Sequence, residues 1–313
     1  MEDSDGFESL IRRIGETHFR QRFSLQIEHA ADVWGRGLTR FHIENVPWLR
    51  AALYYGLRMT GLYARGYANF KNVQVVHNTV HLHALPPAFA GMRILQMTDL
   101  HIDLDESLVD AVAARVRELE YDLCVLTGDF RASTTGDYMP CVRGMQRLAE
   151  CLEQPVYAVL GNHDFIEIVP MLESAGIQFL LNESVTLERG GESIYLCGVD
   201  DPHFYEADNL HLVRDAVPVH GVSILLSHSP EIYRKVAASG FDLMLSGHTH
   251  AGQICLPGRI AVISNGNCPR HMIYGSWTYK HLQGYTSSGT GACTLPVRFF
   301  CPPEIVVHEL QPM

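Results

Sequence analysis

The sequence lacks several patterns that define large classes of protein. No uncharged apolar run reaches the ~18 residues that a membrane-spanning helix needs. The eight cysteines form no C-x-x-C pair, and several lie inside apolar runs, as buried thiols do. There is no H-E-x-x-H motif, so a zincin peptidase is not supported. A positive net charge is also absent: the value is −11, which argues against a general nucleic-acid partner. Because the cysteines form no C-x-x-C pair and several lie in apolar runs, we expect them to be reduced and the protein to be cytoplasmic.

Short apolar runs that end in a polar or glycine turn are what the sequence has instead, and they are typical of buried strands. The runs lie at residues 93–98, 122–127, 156–160, 222–227 and 241–246. Amphipathic patterns alternate with them and predict helices at residues 107–120, 139–152, 168–175, 209–217 and 230–239. Strands that alternate with helices predict an α/β fold with helices on the faces of the sheet.

Polar side chains follow these predicted strands, at the sheet edge where ligands usually bind. Asp99 and His101 follow the first run, and the i, i+2 spacing points both side chains the same way. His248 and His250 repeat this spacing after the last run, so two half-sites are predicted. Between the two half-sites, a carboxylate could bridge two ions. Carboxylate, amide and imidazole ligands suit Mn, Fe or Zn, and a two-metal clamp suits displacement at phosphorus.

In their order along the chain, these blocks resemble those of the calcineurin-like metallophosphoesterases. The matching blocks are Asp99-x-His101, Gly128-Asp129, Gly161-Asn162-His163-Asp164, His228 and Gly247-His248-x-His250. The resemblance covers about residues 91–310. Within the family, the stretches 198–202, 246–253 and 295–304 look most like a bacterial branch of membrane-associated phosphodiesterases. That branch includes lipid pyrophosphatases that cleave UDP-diacylglucosamine.

The resemblance implies a β-sandwich flanked by helices, two divalent transition-metal ions and a role for each matched residue. One metal would be held by Asp99, His101 and His250, and the other by Asn162, His228 and His248. Asp129 would bridge both ions. His163 would act on the phosphoryl oxygens or the leaving group, and Asp164 would orient the His163 ring.

One departure from the family concerns the residues after Gly128-Asp129. Protein phosphatases of the family place an Asp-Arg pair shortly after this block, whereas Phe130-Arg131 follows here. This disfavours a phosphoprotein substrate. Arg131, His203 and Arg298 are candidates for substrate contacts. The alternatives are a surface position for Arg131 and His203, and ordering of the C-terminal segment for Arg298.

Residues 1–70 differ in composition from residues 71–313, which we predict to be the catalytic domain. Between residues 11 and 70 there are nine arginines, four acidic residues and ten aromatic residues. From Pro47 a helical pattern places Leu49, Leu53 and Leu57 on one face. The segment is therefore a helical, basic and aromatic extension. It either lies at a membrane interface or packs on the catalytic domain.

Residues 71–85 partly alternate between apolar and polar, which predicts a strand or hairpin. His77, His81 and His83 share one face of it. Histidines in this arrangement are more typical of the solvent-exposed face of an edge strand than of a separate metal site.

We therefore expect a metal-dependent phosphodiesterase or pyrophosphatase, acting on a lipid-linked substrate such as UDP-diacylglucosamine. A cytoplasmic enzyme of this kind would sit peripherally on the inner membrane. The alternatives are a soluble phosphodiesterase for nucleotides or other small diesters, and a non-catalytic membrane-peripheral scaffold. A scaffold is disfavoured because it has no use for the complete set of ligands.

Overall fold

The structure is a computed structural model that describes residues 2–31 and 47–313. The helices are α1 (Glu2–Ile14), α2 (Glu16–Ala31), α3 (Pro47–Met59), α4 (Leu62–Lys71), α5 (Ser107–Val116), α6 (Met139–Ala149), α7 (Ile168–Glu173), α8 (Leu210–Asp215) and α9 (Tyr233–Ala238). The strands are β1 (Gln74–Leu82), β2 (Arg93–Met97), β3 (Leu123–Thr127), β4 (Val156–Val159), β5 (Ile177–Phe179), β6 (Glu183–Arg189), β7 (Glu192–Gly198), β8 (Ser223–Leu226), β9 (Leu243–Ser246), β10 (Cys255–Leu256), β11 (Ile260–Ala261), β12 (Gly275–Tyr279), β13 (Leu282–Thr286) and β14 (Glu304–Pro312).

Two six-stranded sheets form the centre of the molecule. The first has the order β1-β14-β2-β3-β4-β5, and the second has the order β12-β13-β9-β8-β7-β6. β2 to β5 are parallel to one another, and so are β7, β8, β9 and β13. β10 and β11 form a separate small hairpin.

Three apolar layers hold the sandwich together. One lies between the sheets, where side chains such as Ile94 and Leu226 are fully buried. The other two lie between each sheet and its helices, with Leu126 and Val112 in one and Val236 and Met244 in the other. Strands buried on both faces read as continuous apolar runs, which is why the sequence shows them clearly. The predicted sandwich flanked by helices is confirmed.

Differences from the predicted elements fall at helix ends, in edge strands and in β13, an inner strand of the second sheet that was not predicted. The helix predicted at 107–120 ends at Val116, because the N–H of Leu119 bonds to the carbonyl of Val116 in a tighter i→i+3 turn. β6 and β12 were not predicted, since both are sheet edges with mixed polar faces. β1 is also an edge strand. His77 and His81 are exposed on it as predicted, and His83 is exposed in the turn that follows it.

The first two helices pack on the body of the protein. Leu10 of α1 is 1% exposed and belongs to the core beneath the first sheet. Arg13 forms ion pairs with Glu173 at 2.7 Å and with Glu183 at 3.0 Å. Residues 32–46, which hold part of the predicted basic and aromatic extension, lie outside the described residues. Among the described residues, no helix is both long and apolar enough to cross a membrane.

Candidate metal centre

The parallel strands bring the predicted site residues to one edge of the sandwich. Asp99 follows β2, Asp129 follows β3, and Asn162 and His163 follow β4. From the second sheet, His228 follows β8, and His248 and His250 follow β9. All seven side chains are almost completely buried. The strand ends of two sheets therefore converge on one cluster.

An unusual backbone conformation sets the direction of several of these side chains. Positive φ angles occur at Asp99 (50°), His101 (40°), Asp129 (55°), His248 (70°) and His250 (48°). A residue with a Cβ pays roughly 1–2 kcal/mol for this left-handed geometry. Strain of this kind persists only where the surroundings enforce it, and it is concentrated at functional sites.

Two glycines let the loops approach one another. A Cβ on Gly161 would collide with the carboxylate of Asp129, and a Cβ on Gly247 would collide with Thr98 and Asp99. Glycine is therefore required at both positions for steric reasons, whatever the φ angle.

Asp99, His101 and His250 form the first triad, and their ligand atoms all lie within 4.8 Å of one another. Nε2 of His101 lies 3.1 Å from Nε2 of His250. Oδ1 of Asp99 lies 3.2 Å from the same His250 nitrogen. The structure thus assembles the first predicted half-site.

The second triad is Asp129, His228 and His248, again within 4.8 Å, and Asn162 joins it. Nε2 of His228 is the central atom. It lies 3.1 Å from Oδ1 of Asn162, 3.2 Å from Oδ2 of Asp129 and 3.2 Å from Nδ1 of His248. The four residues therefore direct ligand atoms at one point.

Asp129 lies between the two triads. Besides the contact to His228, its Oδ2 is 3.8 Å from Nε2 of His101 in the first triad. Oδ2 is also 3.9 Å from Nε2 of His163. Oδ1 accepts the backbone N–H of His163 at 2.9 Å. This carboxylate is placed where a bridging ligand would be needed.

The donor set fits two divalent metal ions. Nδ1 of His101 donates to the carbonyl of Arg131, and Nδ1 of His228 donates to the carbonyl of Thr127 at 2.8 Å. Each bond turns Nε2 of the ring toward the cluster, as in metal-bound histidines. The ligand atoms are 3.1–3.2 Å apart, which is close enough for one divalent ion to contact several of them.

The electrostatics of the cluster also favour cations. Desolvation opposes a charge on His228, but Asp129 outweighs it and raises the pKa of His228 to about 10. Desolvation likewise opposes ionisation of Asp129, yet His228 and His163 hold the pKa of Asp129 well below its usual value. Desolvation, with repulsion from neighbouring histidines, lowers the pKa of His248 and of His250. His248 and His250 are thus held in the neutral form that binds a metal, whereas a metal ion at His228 would take the place of the proton that Asp129 favours.

The partners of Asp164 differ from the prediction that it orients the His163 ring. Its carboxylate accepts backbone N–H groups of Gly161, Asp129, Phe130 and Arg131, at 2.8–3.2 Å. Nδ1 of His163 lies instead 3.2 Å from the carbonyl of Ala132. Asp164 therefore ties two loops together. The sequence could not show this, because the donors are backbone groups from a distant loop.

The three predicted substrate contacts are all fully buried. Arg131 donates to the carbonyls of Thr135 and Gly136, and its guanidinium stacks on the Phe165 ring. Arg298 donates to the carbonyl of Gly291 and lies 3.3 Å from Nδ1 of His250. Both arginines bind loop carbonyls in this structure, and their contact with a substrate stays a prediction.

His203 is buried against the second triad. Its Nδ1 donates to Glu231 at 2.9 Å, and its ring centroid lies 4.0 Å from that of His248. Desolvation opposes protonation of His203, but Glu231 outweighs it and raises the pKa. Sequence reasoning placed His203 in a loop near the site and missed Glu231, which no motif marks.

A cavity of about 480 Å³ opens onto the cluster. Asp129, His163, His248 and His250 form its polar floor. Its walls include Leu53 of α3 and the apolar side chains Ile254, Val262, Ile263 and Leu295. The cavity lining therefore combines metal-ligand candidates with apolar side chains, and it also includes Arg50 and several uncharged polar residues.

Comparison with known proteins agrees with this geometry. The family model for calcineurin-like phosphoesterases matches residues 92–252. An uncharacterized metallophosphoesterase of Helicobacter pylori (strain ATCC 700392 / 26695) is 30% identical, over 82% of this chain and 69% of its own length. The uncharacterized metallophosphoesterase YkoQ of Bacillus subtilis (strain 168) is 27% identical, over 77% of this chain and 92% of its own. A Bos taurus transmembrane protein with a metallophosphoesterase domain is 28% identical, over 74% and 56% respectively.

Proposed function

The chain belongs to the calcineurin-like phosphoesterase family and is a metal-dependent phosphoric ester hydrolase, and we propose that its substrate is a lipid-linked phosphodiester or pyrophosphate. UDP-diacylglucosamine is the test case for such a substrate. The observation that carries the proposal is the cavity, because apolar walls rise directly from the cluster of metal-binding residues. A small hydrophilic diester has no use for those walls.

The cluster supplies the chemistry of hydrolysis. We propose that Asp99, His101 and His250 hold one ion, that Asn162, His228 and His248 hold the second, and that Asp129 bridges them. Two bound ions polarise a phosphoryl group and lower the pKa of a water molecule. The family to which the chain belongs uses divalent metals, and the ligand types suit Mn, Fe or Zn.

His163 is the proposed catalytic residue. It lines the cavity floor, and its Nε2 lies 3.9 Å from the Asp129 carboxylate. A group at this place reaches a phosphoryl oxygen or the leaving group, and it can donate a proton there. Asp164 supports it indirectly, by fixing the loop that carries His163.

The apolar part of the cavity would receive the lipid portion of the substrate. Leu53 of α3 lines the cavity together with Val262 and Ile263, which follow the β10–β11 hairpin. Val262 and Ile263 are each about two-thirds exposed, at 65% and 66%. An acyl chain that covers them removes apolar surface from water, which is worth roughly 25 cal/mol per Å².

The outer face of α3 favours contact with a membrane. Trp48, Tyr55 and Met59 form one stripe on the helix and are 71%, 63% and 88% exposed. This stripe is not the face predicted from Leu49, Leu53 and Leu57, since Leu53 lines the cavity and the Leu49 side chain is not described. Residues 47–71 contain four basic residues and no acidic one. Basic charge together with exposed aromatic and apolar side chains suits peripheral binding to an anionic surface.

The test is a triple variant, Trp48→Ser, Tyr55→Ser and Met59→Ser, in the full chain. We expect it to lose binding to anionic vesicles and to raise KM about 10-fold or more for vesicle-borne UDP-diacylglucosamine. Hydrolysis of a small chromogenic diester should stay unchanged, because the stripe is outside the cavity. The matched control is Leu212→Ser with Val219→Ser, which removes exposed apolar side chains elsewhere on the surface.

Equal effects of the triple variant and the control on both substrates would contradict the lipid proposal. A preference of the wild-type protein for nucleotides or other small diesters would favour the soluble-phosphodiesterase alternative. Membrane binding without any hydrolysis would favour a scaffold.

A further inference from the structure

Arg22 of α2 is a fully buried cation next to the metal centre, although it lies far from every catalytic motif in the sequence. Its Nη2 donates to the backbone carbonyl of Asp164 at 2.9 Å. Its Nε donates to Oδ1 of Asp200 at 3.3 Å. The guanidinium carbon lies 3.2 Å from the centroid of the Tyr205 ring.

These partners belong to two loops of the catalytic body. Asp164 directly follows His163 in the loop after β4. Asp200 and Tyr205 belong to the loop after β7, which also carries His203. Arg22 therefore joins the loop of the proposed catalytic histidine to the loop that packs on His248.

α2 has two further anchors on the same loops. Nε2 of His18 lies at hydrogen-bond distance from Oδ2 of Asp200, at 3.0 Å. Gln26 accepts the N–H of Ile166 at 2.9 Å and donates to Glu167 at 2.6 Å. His18, Arg22 and Gln26 are spaced four apart, so they form one stripe of the helix. The whole stripe faces the catalytic loops.

Burying the charged groups of Arg22 and Asp200 costs free energy, so net stability alone does not explain the contact. A buried ion pair contributes little net stability, because desolvation offsets the attraction between its charges. Its best-supported use is to fix one geometry among several. Here the fixed geometry is that of the peptide bond between Asp164 and Phe165, one residue beyond His163.

We propose that α2 contributes to the active site and that Arg22 is a positioning residue for His163. The N-terminal segment thus contributes to hydrolysis as well as to any membrane contact. This role concerns the catalytic step itself, so it is independent of the nature of the substrate's lipid portion.

The experiment compares Arg22→Gln with Arg13→Gln in the full-length, metal-loaded protein. Arg13 is the matched control, since it also pairs an N-terminal helix with the body but contacts Glu173 and Glu183 instead. We expect Arg22→Gln to lower kcat on a chromogenic diester by about 10- to 100-fold, because small misplacements of a catalytic group cost that much. KM and the two-ion metal content should change little. Arg13→Gln should lower the melting temperature and leave kcat unchanged.

Guanidinium rescue separates positioning from folding. Arg22→Ala leaves a buried space beside Asp200, and millimolar guanidinium should restore kcat several-fold in this variant. The same guanidinium should leave kcat of the wild type and of Arg13→Ala unchanged. If Arg22→Gln fails to fold, Arg22→Lys and Gln26→Met take its place, with a smaller loss of kcat expected. The proposal is overturned if the folded Arg22 variants keep wild-type kcat, or if their loss matches only the unfolded fraction and guanidinium restores nothing. Because the assay uses a small diester, failure here leaves the lipid proposal standing.

Discussion

The carboxylate of Asp164 accepts the backbone N–H of Asp129 at 2.8 Å, which ties the loop of the proposed catalytic histidine to the loop of the proposed bridging ligand. Oδ2 of Asp164 also accepts the N–H of Gly161 at 2.8 Å. Desolvation and the neighbouring Asp129 raise the pKa of Asp164 to about 6. One buried carboxylate thus organises the backbone around the centre without facing the cavity.

Asp164→Asn should destabilise the protein strongly. In asparagine, an NH₂ group replaces one of the two carboxylate oxygens. The backbone N–H groups that bonded to that oxygen then face another hydrogen-bond donor and lose their acceptor. We expect the free energy of unfolding to fall by about 3 kcal/mol or more, given ~1–3 kcal/mol for each unsatisfied buried group. Denaturant unfolding measures this. Asp103→Asn is the control, since Asp103 accepts only the N–H of Ala132 among its described backbone bonds. An equal loss in both variants would contradict the tie between the loops.

Gly161→Ala should disrupt the metal centre. The added Cβ would collide with the Asp129 carboxylate, so that this side chain must leave its place between the triads. We expect much weaker metal binding in calorimetry and a loss of activity of roughly 10²-fold or more. Gly56→Ala is the control, because a Cβ there meets nothing within 4 Å and alanine favours the helix. Normal metal affinity in Gly161→Ala would show that the steric reason is wrong.

His163→Ala should separate catalysis from metal binding. We expect both ions to remain bound while kcat falls by ~10²–10⁴-fold, the usual contribution of a positioned acid or base. Asp129→Ala should lose metal binding itself. Elemental analysis of both variants, alongside kcat, measures the difference. Loss of both ions from His163→Ala would reassign His163 as a ligand.

Acid should destabilise the protein partly through His308. Desolvation lowers the pKa of this buried histidine from 6.5 to about 3, and its ring bonds to Gln96 and Asn78. Between pH 6.5 and pH 3 the unfolded chain therefore binds a proton that the folded chain does not. Stability should fall by ~1.4 kcal/mol per pH unit from this group below pH 6.5, about 2 kcal/mol at pH 5.

Unfolding measured at pH 8 and pH 5 tests this effect. His308→Gln should show a shallower loss between the two pH values, whereas the exposed His77→Gln should match the wild type. If His308→Gln and the wild type lose the same amount, the buried neutral histidine does not contribute.

The sequence predicted the parts of the site that sit directly at strand ends. Strands buried on both faces give continuous apolar runs, so Asp99 and His228 could be placed at one edge before any coordinates were known. The contribution of α2 could not be predicted in this way. Arg22 lies some 140 residues from Asp164, and an arginine within a largely polar helix gives no signal that it is buried.

The direction in which several side chains point also could not be predicted from the sequence. Arg131 and Arg298 lie beside the matched blocks, and the sequence left open whether they face substrate or protein. Their guanidinium groups bind loop carbonyls, which become acceptors only once the loops are folded. The stripe on α3 was misjudged for a related reason: α3 is apolar on both sides, and only the fold decides that Leu53 faces the cavity.

The most direct test is a metal titration of the full-length protein after chelation. Calorimetry and elemental analysis would follow Mn²⁺ binding, and hydrolysis of a chromogenic diester would be measured at each point. We expect no turnover without metal, two ions bound per chain at saturation, and activity that rises with the second ion. Full turnover in protein that elemental analysis shows to be free of metal would contradict the central claim, as would saturation at a single ion.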